Sequence, residues 1–173
     1  HAFDRYSGEP VWTYSYDREY YDISYPLGPR AGITVHQERV YALGAMADLH
    51  CLDAETGEVI WYRNLPEEFE LDMPVWGITA SPLLDSENGL LILQVGGQPD
   101  AVMVALSLDD GSEIWRALDG RASYSSPRFV EQAGRRIVLT WTADWFAGLD
   151  PATGDVLWKD AFPRKKGPIA VPD

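Results

Sequence analysis

The chain has 173 residues, 46% of them hydrophobic, and its 27 Asp and Glu outnumber its 14 Lys and Arg, which gives a formal net charge of −13. This length predicts one domain with a packed core, and no segment approaches the roughly 20 consecutive apolar residues of a membrane-spanning helix. A nucleic-acid partner is excluded as well, because phosphate backbones are bound by clustered cations and this chain is strongly acidic.

A ten-residue pattern returns four times along the chain. The copies begin at Phe3, Leu52, Leu106 and Leu149, and in each copy a glycine stands four residues before a tryptophan. These pairs are Gly8 and Trp12, Gly57 and Trp61, Gly111 and Trp115, and Gly154 and Trp158. Successive copies are about 40–55 residues apart, which is close to the period of the four-stranded blades of β-propellers. The repeat therefore predicts an all-β fold, a β-propeller segment.

Short strands are predicted between the copies, four to a blade, with strand A innermost and strand D outermost. Near-continuous apolar runs mark the middle strands, as expected for strands that neighbouring blades cover on both faces. In chain order the predicted strands A to D are residues 31–35, 39–43, 48–53 and 59–65; then 80–85, 90–95, 101–106 and 113–118; then 125–130, 136–141, 145–150 and 156–161.

Each copy of the pattern predicts a tight turn that leads into strand D. In the second copy the side chains of Asp53 and Thr56 are placed to bond backbone amides, and Gly57 supplies a positive φ that other residues resist. Asp150 takes the place of Asp53 in the fourth copy. The tryptophan after the turn is expected to fill the seam between blades, provided that its indole N–H finds an acceptor. We interpret it as a tryptophan docking motif.

The predicted blades make residues 1–173 a single propeller segment. Residues 1–16 are the end of one blade, residues 30–65, 78–118 and 122–161 are three whole blades, and residues 168–173 begin the next blade. Because a propeller ring typically has four to eight blades, the chain is expected to be part of a larger, possibly eight-bladed, propeller. Its expected partners are the remaining blades or a second copy of the chain.

The pattern Leu-Asp-x-x-Thr-Gly-x-x-x-Trp resembles the repeat of bacterial pyrroloquinoline-quinone-like (PQQ-like) β-propellers over nearly the whole chain. Residues 39–44, 73–77 and 122–127 also look like this group. The departures are Ser7 and Asp110 in place of Thr, Ser107 in place of Asp, and Gly32-Ile33 where the other blades have Ser-Pro. The resemblance implies a propeller fold and a location in the periplasm or otherwise outside the cytoplasm.

Three functional classes share the fold that this resemblance implies. One comprises the quinone-dependent alcohol dehydrogenases, which hold PQQ and Ca²⁺ on the propeller axis and often carry adjacent cysteines against the cofactor. The second is the lipoprotein of the outer-membrane barrel-assembly machinery, a scaffold without a cofactor, and the third is a large uncharacterised group. The single Cys51 departs from the dehydrogenase pattern, and Asp144-Trp145 is interpreted as a turn Asp before a packed Trp rather than as a catalytic pair.

No catalytic residue and no metal site are predicted. Cys51 has no second cysteine with which to form a disulfide or a metal cluster. His36 and His50 are isolated in the sequence, and we expect His50 to be a packed histidine. The acidic turn at residues 109–111 lacks the graded ligand spacing of a calcium loop.

Candidate ligand-binding residues precede the strands A, because the loops that enter these strands lie over the axial channel. They are Arg30, Trp76, Arg121 and Tyr124. Aromatic faces with guanidinium donors suit a sugar, a peptide or a planar cofactor; the alternative is that the two aromatic side chains only pack the loops.

These observations predict a non-catalytic extracytoplasmic binding or scaffold module. No cofactor is expected, and a protein or a small molecule is the expected ligand at the axial mouth. The alternative is a fragment of a PQQ- and Ca²⁺-dependent alcohol dehydrogenase.

Overall fold

The computed structural model describes residues 1–24 and 28–161. The predicted start of a further blade at residues 168–173 and the basic run at residues 164–166 lie outside this part of the chain. The strands in chain order are β1 (Ala2–Phe3), β2 (Pro10–Trp12), β3 (Thr34–His36), β4 (Arg39–Leu43), β5 (Asp48–Asp53), β6 (Val59–Asn64), β7 (Leu83–Asp85), β8 (Leu90–Gly97), β9 (Ala101–Ser107), β10 (Glu113–Ala117), β11 (Arg128–Gln132), β12 (Arg135–Trp141), β13 (Trp145–Leu149) and β14 (Val156–Ala161). A single helical turn, α1 (Leu65–Glu68), follows β6.

These strands form three four-stranded antiparallel sheets and one two-stranded sheet. Blade 1 is β3-β4-β5-β6, blade 2 is β7-β8-β9-β10 and blade 3 is β11-β12-β13-β14, so each strand pairs with its neighbour in the sequence. β1 and β2 form the two-stranded sheet ahead of blade 1. The prediction of an all-β propeller segment with four-stranded antiparallel blades is confirmed, and the open sheets fit a partial propeller.

Strands B, C and D lie close to their predicted positions, whereas strands A begin about three residues later than predicted. The residues ahead of the first two strands A bond to the next blade instead of pairing within their own sheet. The Gly32 N–H donates to Oγ of Ser81 at 2.8 Å, and the Ser81 N–H donates to Oγ of Ser126 at 2.8 Å. The predicted starts at residues 31, 80 and 125 are therefore wrong, because this stretch links neighbouring blades.

Gly96 and Gly97 belong to β8, although the sequence predicts them in the turn that follows it. The pairing of β8 with β9 shifts register between Gln94 and Gly97, which lengthens the strand. A Cβ on Gly97 would lie 2.7 Å from Cβ of Phe69, so the glycine leaves room for that residue. Phe69 comes directly after α1, which the sequence does not predict, and it is buried in the core together with Leu65.

The hydrophobic core lies in the two seams between consecutive blades. All eight residues of β8 are buried, because blade 1 covers one face of this strand and blade 3 covers the other. Leu91 and Leu93 pack with side chains of blade 1, while Leu90 and Ile92 pack with side chains of blade 3. Full burial of such a side chain stabilises a fold by about 1.5–3 kcal/mol. The two-sided burial explains why this strand is apolar at consecutive positions.

Three of the four repeat tryptophans lie across a seam and contact the turn of the following copy. The contacts are Trp12 with Ala54 and Gly57, Trp61 with Leu108 and Gly111, and Trp115 with Pro151 and Gly154. In these contacts the indole N–H donates to the carbonyl oxygen at 3.0, 3.3 and 2.9 Å respectively. A Cβ on each glycine would lie 2.6, 2.8 and 2.6 Å from a carbon of the indole ring. Glycine is therefore needed at this position for two reasons: it adopts the positive φ of the turn, and it has no side chain to obstruct the indole ring.

The turns themselves are closed by side-chain oxygens. Oδ1 of Asp53 accepts the backbone N–H groups of Glu55 and Thr56 at 2.9 and 2.7 Å and the Thr56 hydroxyl at 3.0 Å. The third copy, which has Ser107 in place of Asp, keeps the same turn. There the Ser107 hydroxyl accepts the Asp109 N–H at 3.1 Å. Asp110, in the place of Thr56, accepts the Ser112 N–H at 3.0 Å, and the Gly111 N–H still donates to the Ser107 carbonyl at 3.0 Å. These departures change the side-chain hydrogen bonds of the turn and leave its backbone closure intact.

Candidate functional site

The predicted aromatic residues meet where the loops before β7 and β11 run side by side. The rings of Trp76 and Tyr124 are 5.0 Å apart, centroid to centroid, and inclined at 35°. The backbone N–H of Trp76 also donates to the Tyr124 hydroxyl at 3.4 Å. Both side chains are half-buried. The blades 2 and 3 thus share one aromatic surface, which we call the Trp76–Tyr124 shelf.

Arg30 supports this shelf from the preceding blade. Its guanidinium donates to the carbonyl oxygen of Trp76 through Nη1 and to that of Ser24 through Nη2, the latter at 3.0 Å. A Cβ on Gly77 would lie 2.9 Å from Nη1, so the glycine leaves room for the guanidinium. Arg30 therefore holds the loop backbone, and its role as a donor to a ligand stays a prediction.

Arg121 lies on the other side of Tyr124 and is paired with Asp144. Its Nη2 donates to Oδ1 of Asp144 at 2.9 Å, and its backbone N–H donates to Oδ2 at 2.9 Å. These hydrogen bonds raise the pKa of the guanidinium. The Arg121 side chain is nevertheless 51% exposed. It can therefore still present N–H donors to a ligand beside the shelf.

A cavity of about 170 Å³ opens between the two loops. It is lined by Asp72, Met73, Pro74, Val75, Arg121, Ala122 and Tyr124. The lining combines apolar residues with the charged Asp72 and Arg121, and Val75 is 59% exposed. The structure thus brings Tyr124 and Arg121 together at the cavity. Trp76 joins them through its ring contact with Tyr124, and Arg30 contacts the loop backbone.

A buried glutamine positions this loop, and the sequence analysis missed it. Gln94 is 1% exposed, and its Nε2 donates to the Ser125 carbonyl at 3.2 Å and to the Thr140 hydroxyl at 3.1 Å. Its Oε1 accepts the Ser123 N–H at 2.5 Å. A buried amide is stable only when its polar atoms are bonded. The signal in the sequence that could have revealed Gln94 is its position as the one polar residue in an otherwise apolar strand.

A second cluster, also missed, surrounds the start of β5. Asp48 is 2% exposed, and it accepts the Tyr62 hydroxyl at 2.7 Å and lies 2.9 Å from Nε of Arg18. The His50 ring is packed between Tyr16 and Tyr62, with centroid distances of 4.4 and 4.7 Å. Burial lowers the pKa of His50 and raises that of Tyr16 to about 12. The prediction that His50 is a packed histidine is confirmed.

The described residues contain no group of three or more His, Cys, Asp and Glu side chains arranged to hold a metal ion. In the same part of the chain, no helix has the length and apolar character needed to cross a bilayer. Trp145 is packed as the sequence predicts: its indole N–H donates to the Asp119 carbonyl at 3.0 Å, and Nζ of Lys159 lies 4.1 Å from its ring centroid.

The blades, their turns and the recurring tryptophans agree with a known family of repeats. The PQQ_2 family model, described as outer membrane protein assembly factor BamB, matches residues 1–170. The chain belongs to this family. The recognition of a PQQ-like β-propeller repeat protein from the sequence is confirmed.

One curated relative and two solved structures illustrate the similarity. A 1-butanol dehydrogenase (quinone) from Thauera butanivorans is 25% identical in an alignment of 165 positions that covers 86% of this chain and 25% of the relative. The quinohemoprotein alcohol dehydrogenase ADHIIG from Pseudomonas putida HK5 superposes with a TM-score of 0.64 at 18% identity, over 92% of this chain and 31% of that protein. BamB from Moraxella catarrhalis superposes with a TM-score of 0.53 at 20% identity, over 76% of this chain and 36% of that protein. The chain thus spans a quarter to about a third of these relatives, and the two structures support the fold alone.

Proposed function

We propose that this chain is a non-catalytic, extracytoplasmic β-propeller module that binds an extended peptide segment of a partner protein across the Trp76–Tyr124 shelf. The observation that carries the proposal is that loops of consecutive blades place two aromatic rings beside the exposed guanidinium of Arg121. Aromatic and arginine side chains are the residues enriched at the energetic centres of protein interfaces.

The size of the cavity favours a peptide side chain over a whole cofactor. Sites for drug-sized ligands and cofactors have volumes of about 300–1,000 Å³, whereas this cavity has about 170 Å³. One or two side chains fill such a space, and the polar neighbours Asp72 and Arg121 can accept from or donate to a peptide backbone. The exposed Val75 extends the apolar surface next to it.

The family description supports both the ligand class and the compartment. It names an assembly factor for outer membrane proteins, and such relatives are periplasmic or otherwise extracytoplasmic. The transmembrane strands of outer membrane proteins are segments of about ten residues with alternating apolar and polar side chains. Segments of this kind offer apolar anchors at every second position to an aromatic shelf.

The test uses a panel of ten-residue peptides with alternating apolar and polar side chains, titrated into the ¹⁵N-labelled chain. The indole N–H signal of Trp76 is assigned by its loss in Trp76→Phe. We expect this signal to shift saturably with at least one peptide, and Arg121→Ala to weaken binding about tenfold, the effect of losing a charge-assisted hydrogen bond. Arg135→Ala is the matched control, because Arg135 has a similarly exposed ion pair, with Asp150. If no peptide moves the Trp76 signal of the folded chain, the proposal fails.

The second candidate function is that of a fragment of a PQQ- and Ca²⁺-dependent alcohol dehydrogenase. It is favoured by the name of the curated relative, a quinone-dependent 1-butanol dehydrogenase. The residues described fit the cofactor poorly, because both carboxylate oxygens of Asp144 already accept hydrogen bonds from Arg121. Titration with PQQ and CaCl₂, followed by tryptophan fluorescence, separates the two functions. Saturable quenching would favour the dehydrogenase fragment, and its absence together with peptide binding favours the module.

A further inference from the structure

The cluster at the start of β5 has a cavity of its own. The cavity has a volume of about 350 Å³, and it is lined by residues 14 and 16–18 of the segment after β2 and by Asp48, His50 and Tyr62 of blade 1. Among the described residues, none also lines the cavity beside the Trp76–Tyr124 shelf. The volume lies within the range of about 300–1,000 Å³ that is usual for small-molecule sites. This cavity is therefore a candidate for a second site, independent of the shelf.

The alternation of side chains along the strands builds this site. Asp48 and His50 are two residues apart in β5, so they share one face of the sheet, and Tyr62 of β6 is paired with His50 across the strands. The segment after β2 packs on the same face. It places the Tyr16 ring 4.4 Å from the His50 ring, between centroids, and Nε of Arg18 2.9 Å from Oδ2 of Asp48. Two strands of blade 1 and the segment before it thus hold the lining side chains.

Blade 1 differs from the other two blades at these positions. The repeat and the strand pairing align Asp48, His50 and Tyr62 with Val102, Val104 and Arg116 of blade 2 and with Trp145, Ala147 and Lys159 of blade 3. The buried carboxylate and the histidine therefore belong to blade 1 and are not part of the repeat. Exposure of Tyr62, in contrast, is usual for its position in a blade. Arg116, which takes this position in blade 2 between two other blades, has a side chain that is 38% exposed, against 44% for Tyr62.

The polar part of the lining has hydrogen-bonding capacity left over. Oδ1 of Asp48 accepts the Tyr62 hydroxyl at 2.7 Å. Oδ2 of Asp48 and Nε of Arg18 form an ion pair, but neither atom is hydrogen-bonded within the described part of the chain. Buried polar groups of folded proteins almost always have hydrogen-bond partners. The Arg18 side chain is 23% exposed and Asp17 is exposed, so a ligand in the cavity finds both donors and an acceptor.

The rest of the lining is aromatic and uncharged. Tyr16 is 42% exposed, like Tyr62, and the His50 ring is packed between the two tyrosine rings. Burial, with a smaller contribution from the Asp48 carboxylate, raises the pKa of each tyrosine to about 12, so both hydroxyls stay protonated at neutral pH. The faces of aromatic rings carry partial negative charge. They therefore attract the weakly positive C–H groups on the apolar face of a sugar ring.

This combination of groups selects a neutral ring that carries several hydroxyl groups. A hydroxyl both donates and accepts hydrogen bonds, so two adjacent hydroxyls can satisfy the Asp17 carboxylate and the Arg18 guanidinium together. The charge of Asp48 is already balanced by Arg18, which disfavours a cationic ligand, and the net charge of −13 disfavours an anionic one. We propose that the cavity binds one ring of a neutral saccharide, with Arg18 and Asp17 bonded to adjacent hydroxyls. Tyr16 and Tyr62 pack against the apolar face of the ring.

Saturation-transfer difference NMR on the full 173-residue chain tests the proposal, because it detects weak binding through the protons of the ligand. The probes are the methyl glycosides of glucose, galactose and mannose, N-acetylglucosamine, and linear tetrasaccharides of glucose, mannose and N-acetylglucosamine. Sorbitol, which has hydroxyls but no ring, and choline, a cation suited to aromatic sites, are the comparison compounds. We expect saturation of the C–H protons of at least one sugar. Binding of a methyl glycoside indicates a free sugar or a chain end as the ligand, and binding of a tetrasaccharide alone indicates a unit within a polysaccharide.

Two variants remove groups that contact the ligand and leave the Asp48 ion pair in place. Asp17→Ala should weaken binding of the sugar about tenfold in Kd, the effect of losing a charge-assisted hydrogen bond, and Tyr16→Ala should weaken it severalfold through the loss of a ring contact. Glu19→Ala and Tyr21→Ala are the matched controls, because these exposed residues of the same segment do not line the cavity; both should bind like the unmodified chain. If no sugar is saturated, if sorbitol or choline binds as tightly as the best sugar, or if all four variants bind alike, the proposal is wrong.

Discussion

Trp61 donates a hydrogen bond from its indole nitrogen to the carbonyl oxygen of Leu108, 3.3 Å away and in the next copy of the repeat. The same ring lies against Gly111, so that a single side chain of blade 1 covers the turn of blade 2. Blades that share few backbone hydrogen bonds are thus joined by one residue type at one repeat position. Because this contact lies in the buried seam, removing the ring should cause a measurable loss in the free energy of unfolding.

Replacing Trp61 or Trp115 by Ala should lower the free energy of unfolding by about 3–5 kcal/mol, the usual range for truncating a buried aromatic side chain. Both side chains are nearly fully buried and bonded. Urea denaturation followed by circular dichroism measures the loss. Trp158→Ala is the control and should cost less than half as much because Trp158 is only half-buried. A loss below about 1 kcal/mol at Trp61 and Trp115 would show that these rings do not hold the seams together.

The ion pair between Arg136 and Asp85 joins blades 2 and 3. Asp85 is fully buried, and Nη1 of Arg136 lies 2.9 Å from its Oδ1. Arg136→Ala should destabilise the chain by about 3–5 kcal/mol, because it leaves a buried carboxylate without its cation. The neighbouring Arg135→Ala breaks an exposed pair and should cost less than about 1 kcal/mol. Equal losses in the two variants, measured by urea denaturation, would contradict this account.

Stability should fall as the pH drops below about 4. The pKa of Asp53 is held below its ordinary value of 3.8 by the backbone N–H and then the hydroxyl of Thr56, and that of Asp4 is lowered in the same way by Ser7. A carboxyl group whose pKa is lower in the folded state stabilises the fold above its unfolded pKa, and this contribution is lost as the pH falls through the folded pKa. Urea midpoints measured between pH 7 and pH 2 report this loss.

The urea midpoint of Asp53→Asn should therefore fall less between pH 4 and pH 2 than that of the unmodified chain. Glu55→Gln, in the same turn, serves as the comparison. An Asn side chain keeps an oxygen acceptor for the turn but cannot titrate. If Asp53→Asn and Glu55→Gln change the profile equally, the turn hydrogen bonds are not the cause of the acid sensitivity.

The reactivity of the single cysteine thiol should report the opening of the seam between blades 1 and 2. Cys51 is buried, and burial raises its pKa to about 11. Because the thiolate is the reactive species, an aromatic disulfide reagent at pH 8 should label the folded chain only as fast as it unfolds, and should label it at once in urea. Glu55→Cys in a Cys51→Ser background provides an exposed thiol for comparison. Immediate stoichiometric labelling of native Cys51 would show that the seam is open in solution.

The sequence predicted most of the fold because the blade is a local structure. β4, β5 and β14 match their predicted bounds, since apolar runs and turn residues act over a few neighbours. The errors lie where a residue bonds to another blade. Gly32 and Ser81 were predicted inside strands A, yet their N–H groups donate to serines of the following blade, and no pattern within one blade encodes that partner.

The candidate site was predictable only in part, for the same reason. Trp76 and Tyr124 were singled out by their place before strands A, and their rings are in contact. The contact that Arg30 makes was not predicted, because its acceptor, the Trp76 carbonyl, is far away in sequence. Gln94 was missed because its partners come from β12 of the next blade and from the loop before β11.

The sequence by itself determined the repeat, the blade architecture and the turn chemistry, because each depends on residues a few positions apart. Only the tertiary structure decided which copy each tryptophan covers and which carboxylates are paired. Those features depend on the stacking of one blade on the next, which brings together atoms from different copies of the repeat.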